Sequence, residues 1–131
     1  LSSAASDVYK RQVFEILKSG FSLSDCQFDE WYADTCHRVR HGISRLIVMH
    51  YGSEPAATAT VLFDEDKSCF LSHIAVRRDM QKNGIGTALL SCTANLLDNR
   101  KITLICKKNV QRFYINCGFT ATGTAYEIAR G

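Results

Sequence analysis

The chain has 131 residues, 46% of them hydrophobic, a length and composition that allow one globular domain with its own core and exclude a disordered chain. The formal charge of +3 comes from basic residues dispersed along the sequence, which argues against a nucleic-acid partner. The sequence contains no apolar run of about 18 residues and no signal-peptide pattern, so no membrane partner is expected.

The first twelve residues look foreign to the rest of the chain. Residues 2–12 read SSAASDVYKRQ, which resembles, over all eleven positions, a frame translation of a common transposase sequencing adapter. We therefore interpret residues 1–12 as non-native sequence and residues 13–131 as the domain, truncated at its N-terminus near Val13. The alternative is a natural N-terminal helix.

Helices and strands follow one another through the rest of the chain. Apolar spacing predicts a short helix at Val13–Lys18 and a second helix from Ser24 or Asp25 to about Arg40. Runs rich in β-branched and aromatic residues, separated by polar turns, predict strands. The later elements are strands at Ser44–Tyr51, Ala56–Phe63 and Cys69–Val76, a long helix at Gly84–Asp98, a strand at Ile102–Cys106, a short helix at Lys108–Asn116 and a last strand at Phe119–Ala129.

Neither the cysteines nor the histidines predict a metal site. The six cysteines form no Cys-x-x-Cys motif and no zinc-finger spacing, so we interpret them as reduced, structural thiols of a cytoplasmic protein. His37 and His41 have a helical spacing that can bind a metal, but Arg38 and Arg40 beside them would repel a cation. A solvated helix face is the better interpretation of this pair.

The most informative motif is a glycine-rich loop at Gln81–Gly86, between a predicted strand and a predicted helix. Such a loop points backbone N–H groups and the positive end of a helix dipole at one spot, which suits a pyrophosphate. Leu89 stands where a dinucleotide-binding loop requires a small residue, and no P-loop string is present. The loop does match the acetyl-CoA pattern Gln/Arg-x-x-Gly-x-Gly/Ala at every fixed position.

Together with Phe113-Tyr114 and Gly118-Phe119 downstream, this loop resembles the GNAT superfamily of acyl-CoA-dependent N-acetyltransferases. The resemblance covers roughly residues 13–131 in plan and is specific from Leu71 to Phe119. It implies a single α/β (α+β) domain with a mixed, mostly antiparallel sheet flanked by helices. Since family members open with a strand before the first helix, the first edge strand is expected to be missing here.

The resemblance also implies a binding site for acetyl-CoA as co-substrate. Loop amides would bind the pyrophosphate, and the preceding strand would bind the pantetheine arm. An asparagine that often contacts CoA in the family is replaced here by Lys107, and Asn109 is a displaced candidate. The residues carried over are Ile74, Ala75, Val76, Gln81, Lys82, Asn83, Gly84, Ile85, Gly86 and Thr87.

By the same resemblance, Tyr114 would protonate the departing thiolate. Phe70 occupies the position where some members carry a glutamate base, so His73 is the candidate base on this strand, although a structural role for it stays open. Strict alternation places His73 on the opposite face from Phe70. Trp31 and Tyr32 are candidate walls of the acceptor pocket.

The expected function is acetyl transfer from acetyl-CoA to a primary amine by direct attack. The acceptor is a small-molecule amine or a protein amine, and a homodimer is left open. A non-catalytic acyl-CoA sensor is the first alternative, because Phe70 cannot take a proton. An assembly role, in which an exposed sheet edge recruits a partner strand, is the second.

Overall fold

The structure is a computed structural model that describes residues 3–65 and 67–130. Four strands form one open sheet in the order β1-β2-β3-β4. Neighbours β1–β2 and β2–β3 are antiparallel, and β3–β4 is parallel, which confirms the mixed, mostly antiparallel sheet. The strands are β1 Ser44–Tyr51, β2 Glu54–Glu65, β3 Ser68–Val76 and β4 Lys101–Leu104.

Four helices flank this sheet within the described ranges, and two short 3-10 turns lie at Arg78–Met80 and Lys108–Val110. The second helix begins after Ser24, whose backbone N–H donates to Gln27 Oε1 (2.9 Å) while its Oγ accepts from the Gln27 N–H (3.1 Å). This reciprocal cap fixes the start of the helix. None of the described helices has the length and apolar character needed to cross a membrane. The helices are α1 Ser3–Leu17, α2 Asp25–Arg40, α3 Ile85–Leu96 and α4 Gln111–Asn116.

The sheet separates two layers of core packing. On one face, α1 and α2 pack against strand residues such as Leu46 and Ala75. On the other face, α3 buries Leu89 completely against the small side chains of Ala57 and Ala59. The small alanine side chains leave a volume that the Leu89 side chain fills. Leu89, which argued against a dinucleotide-binding loop, is therefore a core residue.

The first helix begins at Ser3, whereas the sequence predicted a start at Val13. The predicted helix is shorter than the observed one because residues 1–12 were interpreted as non-native sequence. Residues 1 and 2 of that segment lie outside the described residues, and its adapter origin stays a prediction. Val13 and Ile16 are fully buried, so the predicted helical run does face the core.

The predicted last strand at Phe119–Ala129 is wrong. Residues 119–130 form no helix or strand, and the side chains of Tyr126 and Ile128 are 91% and 78% exposed. Apolar–polar alternation supplies the side-chain pattern of a strand but not a partner. In the described chain, β4 pairs only with β3, and this segment forms no ladder of hydrogen bonds with the free edge of β4.

Replacing Leu89 with alanine should lower the free energy of unfolding by about 2–5 kcal/mol, because it empties a fully buried site between α3 and β2. The measurement is chemical denaturation followed by circular dichroism. Leu96→Ala on the same helix, where the side chain is 55% exposed, is the control and should change stability by less than about 1 kcal/mol. Equal losses in the two variants would contradict the packing described.

Candidate active site

The glycine-rich loop connects β3 to α3 and leaves the first turn of α3 open. Gly84 is the residue before the helix, with a left-handed φ of +75°, and no side chain caps the helix there. An added Cβ at Gly84 would meet nothing within 4 Å. The first N–H groups of α3 have no partner within the helix and are therefore available to an anion.

Gln81 holds the loop against the end of β3. Its Nε2 donates to the carbonyl oxygen of Val76 at 3.0 Å. Lys82 is exposed, with a φ of +72°, and Asn83 is exposed beside it. The structure thus gives Gln81 a positioning contact, while the neighbouring two side chains reach solvent around the open helix end.

The end of β3 nearest this loop has a free edge. Parallel pairing with β4 covers only Ser68–Leu71 of β3. Among the described strands, none pairs with Ile74, Ala75 or Val76 on that side. The backbone groups of this stretch that point to that side are therefore open to a ligand, apart from the Val76 carbonyl, which accepts from Gln81. A ligand that runs along a strand edge can use such backbone groups.

A β-bulge turns His73 out of the regular alternation. Thr58 pairs with Ala75 and Thr60 pairs with Ser72, so His73 and Ile74 together oppose a single residue of β2. His73 has a φ of +51°, in the left-handed region. Bulges of this kind bend a strand and re-aim a side chain.

Because of the bulge, the prediction from alternation that His73 and Phe70 face opposite sides of the sheet is wrong. Phe70 and Ser72 share the face that α1 and α2 cover, as their register with β2 requires. The imidazole of His73 also reaches this face, where its centroid lies 4.8 Å from the Trp31 ring of α2 and 5.5 Å from the Phe21 ring.

The imidazole of His73 is held in an aromatic and partly desolvated setting. Its Nδ1 lies 3.1 Å from Ser72 Oγ. Burial lowers the pKa of His73 from its ordinary value of 6.5, and the positive charge of Arg38 lowers it further. The side chain is therefore neutral at neutral pH and has a nitrogen lone pair that can take a proton.

Tyr114 lies on α4, half-buried between two phenylalanines. Its ring makes edge contacts with Phe113 at 5.2 Å and Phe119 at 5.9 Å. Burial raises the pKa of Tyr114 above 10, and the thiols of Cys106 and Cys117 raise it further. The phenol is therefore fully protonated at neutral pH, as a proton donor must be.

Phe113 joins the tyrosine helix to the glycine-rich loop, a role that sequence reasoning missed. A Cβ at Gly86 would lie 3.1 Å from Phe113 Cζ and 3.6 Å from Val76 Cγ2. Only glycine lets these three elements meet without a shift. The sequence signal for this role is the aromatic residue directly before Tyr114, although the motif alone predicts no contact for it.

The other predicted residues lie around these elements. Trp31 is half-buried next to His73, whereas Tyr32 is 4% exposed and packs in the core against Phe28. Tyr32 therefore lies in the core, on the buried side of Trp31. Asn109 lies in the exposed 3-10 turn before α4. Of the two residues predicted to line the acceptor pocket, Trp31 is thus the one whose ring contacts His73.

The histidine pair of α2 stands apart from this site. The rings of His37 and His41 are 4.3 Å apart at the end of the helix, and His41 Nδ1 lies 2.9 Å from the carbonyl oxygen of His37. Within residues 3–65 and 67–130, no group of three or more His, Cys, Asp or Glu side chains could hold a metal ion.

Comparison with known proteins gives one family and one fold. Residues 42–121 match the model of the acetyltransferase (GNAT) domain. No curated protein matches the chain in sequence. Several solved structures share its fold at 18–19% sequence identity.

Three of these structures illustrate the likeness. A GCN5-related N-acetyltransferase from Ralstonia eutropha has a TM-score of 0.71 at 18% identity, over 100% of this chain and 96% of that one. A glucosamine-6-phosphate N-acetyltransferase from Arabidopsis thaliana has a TM-score of 0.65 at 19% identity, over 95% and 92%. A protein from Clostridium acetobutylicum, described as a predicted acetyltransferase and solved with acetyl-CoA, has a TM-score of 0.67 at 18% identity, over 97% and 88%.

Replacing Gly86 with valine should weaken acetyl-CoA binding by at least about tenfold, because the added atoms displace Phe113 and with it the open end of α3. Isothermal titration calorimetry measures the affinity, and circular dichroism checks the fold. Gly123→Ala is the control, since an added Cβ there meets nothing within 4 Å. Unchanged affinity in Gly86→Val would show that the ligand does not use this loop.

Proposed function

Since the chain belongs to the GNAT acetyltransferase family, we propose that it transfers an acetyl group from acetyl-CoA to a primary amine by direct attack. The observation that carries this proposal is the contact of Phe113 with Gly86, which seats the helix of Tyr114 against the open end of α3. A proton donor and an anion site therefore belong to one packed unit.

The residues that would hold acetyl-CoA lie along one continuous path. Open backbone groups at Ile74, Ala75 and Val76 lead into the loop and then to the uncapped amides of α3. The fit is supported by the glycine at position 86, where any side chain would fill the space. The other loop residues of this proposed path are Gln81, Lys82, Asn83, Gly84, Ile85 and Thr87, with Asn109 further away.

Acetyl-CoA supplies the acetyl thioester, and the chain's own groups move the protons. His73 takes a proton from the incoming ammonium, so that the amine attacks as a neutral nucleophile. Tyr114 gives its phenolic proton to the sulfur as the carbon–sulfur bond breaks and the carbon–nitrogen bond forms. The new amide nitrogen loses its extra proton to solvent, solvent restores the proton of Tyr114, and His73 releases the proton that it took from the ammonium. Trp31 bounds the space in which the amine approaches His73, and Tyr32 backs Trp31.

The acceptor is proposed to be a small-molecule amine or a protein amine, and the free cysteines support a cytoplasmic location, where thiols stay reduced. A homodimer stays a prediction from the sequence. The acetyl-CoA sensor remains the rival function, because no carboxylate replaces the glutamate that Phe70 displaces on β3. A sensor would bind acetyl-CoA and release no CoA with any amine.

Replacing Tyr114 with phenylalanine should lower kcat by about a hundredfold or more, since general acid catalysis contributes about 10²–10⁴. Acetyl-CoA affinity should stay the same, because the phenylalanine keeps the contacts of the ring. Amine-dependent CoA release measures turnover. Tyr51→Phe, at a tyrosine that is 64% exposed, should behave as wild type. Full activity in Tyr114→Phe would remove the tyrosine from the mechanism.

The pH dependence of kcat/KM should report His73. A base must be neutral to act, and the pKa of His73 is lowered from 6.5, so the midpoint of the acid limb should lie below pH 6.5. His73→Gln should be slow and lack that limb. His50→Gln, at an exposed strand histidine, should keep the wild-type profile. The same acid limb in His73→Gln would assign the base elsewhere.

A further inference from the structure

One face of α2 presents an ordered row of side chains to the space around His73. Trp31, Thr35 and Arg38 are four and three residues apart, which places them on one side of the helix. Trp31 lies 4.8 Å from His73, ring to ring, and Thr35 is fully buried. This row of side chains therefore faces the sheet, and Arg38 lies at its C-terminal end.

Arg38 is a half-buried cation without an acidic partner. Its Nη2 donates to Thr35 Oγ1 at 3.2 Å, and this contact draws the guanidinium toward the buried side of the helix. Among the side chains that the structure describes, no carboxylate pairs with it. Arg77, which is 28% exposed, pairs with both Glu54 and Asp79.

An unpaired guanidinium in this setting has unused binding capacity. Arginine carries five N–H donors in a planar fork, and the Thr35 contact uses one of them. Taking a charge partly out of water costs free energy unless an opposite charge or hydrogen bonds replace the water. The fork matches carboxylate and phosphate oxygens in particular.

Buried hydroxyls without partners line the same face of the sheet. Ser44 Oγ and Thr60 Oγ1 are buried and have no hydrogen-bond partner among the described residues. Thr60 stands directly opposite Ser72, whose own hydroxyl contacts His73. The sheet face that α2 covers therefore carries hydroxyls with unused hydrogen-bonding capacity.

We propose that Arg38 binds an anionic group of the acceptor, so that the acceptor is an amine that carries a carboxylate or a phosphate beside an apolar body. The proposal rests on the proposed function, in which His73 receives the proton of the amine. Trp31 and Phe21, whose rings flank His73, contact the apolar body. Arg38 disfavours acceptors with a second ammonium group, which it repels.

The first test compares acetylation of matched amines with and without an acidic group. The pairs are phenylalanine with phenylethylamine, and glucosamine-6-phosphate with glucosamine. Wild type should show a kcat/KM at least tenfold higher for the acidic member of one pair, and that pair identifies the anion. Arg38→Gln should bring the ratio close to one, mainly through KM, and Arg38→Lys should restore part of it.

Arg40→Gln is the matched control, because it removes the same charge from an exposed position of the same helix. It should keep the wild-type ratio. An equal kcat/KM within both pairs, or a preference that survives in Arg38→Gln, would overturn the role of Arg38 and leave acetyl transfer itself standing. Circular dichroism confirms that each variant is folded.

The second test reads the site without turnover. Trp31 is the only tryptophan in the chain, so its fluorescence reports on this site alone. Phenylacetate or phenyl phosphate should change the emission in wild type and in Arg40→Gln but not in Arg38→Gln, and benzyl alcohol should act more weakly. If these changes occur while no amine is acetylated, the anion site stands and the proposed function fails. No change with either acid would overturn the anion site.

Discussion

Close packing between Gly86 and Phe113 joins the two halves of the candidate site. The loop comes from the turn between β3 and α3, whereas Tyr114 comes from α4, after a further strand. Neither element alone places a proton donor beside an anion site. Because a Cβ at position 86 would lie 3.1 Å from the phenylalanine ring, the absence of a side chain sets the distance between the two helices.

The bulge in β3 makes a second, independent contribution. It places two residues opposite one and gives His73 a left-handed backbone, which turns the imidazole toward Trp31. A left-handed conformation is costly for a residue with a side chain, so it persists only where surrounding contacts hold it. Tilted ring contacts with Phe21 and Trp31, together with the Ser72 contact, supply those constraints here. The same irregular stretch coincides with the end of β4 pairing, which leaves the strand edge free.

The local parts of this fold were predictable from sequence, and the parts that depend on distant partners were not. The loop, the start of α3 and the short helix of Tyr114 follow from glycine and apolar spacing, both of which act within a few residues. The direction of His73 depends on how β2 pairs with β3. A strand at Phe119–Ala129 would need to pair with a strand distant in sequence, which apolar–polar alternation does not specify. Tyr32 and Trp31 are adjacent and equally aromatic, yet only tertiary packing separates a core ring from a cleft wall.

Burial favours the neutral form of both groups that the proposed mechanism uses. Loss of water disfavours the charged form of any group, so it lowers the pKa of His73 and raises that of Tyr114. One becomes an uncharged acceptor and the other an uncharged donor, and neither needs a carboxylate partner. Phe70, which cannot take a proton, is compatible with this arrangement, since a neutral imidazole on the same strand can act as the base. The positive charge of Arg38 also favours the neutral state of His73, and its guanidinium donates to Thr35 with further N–H groups left for an anion.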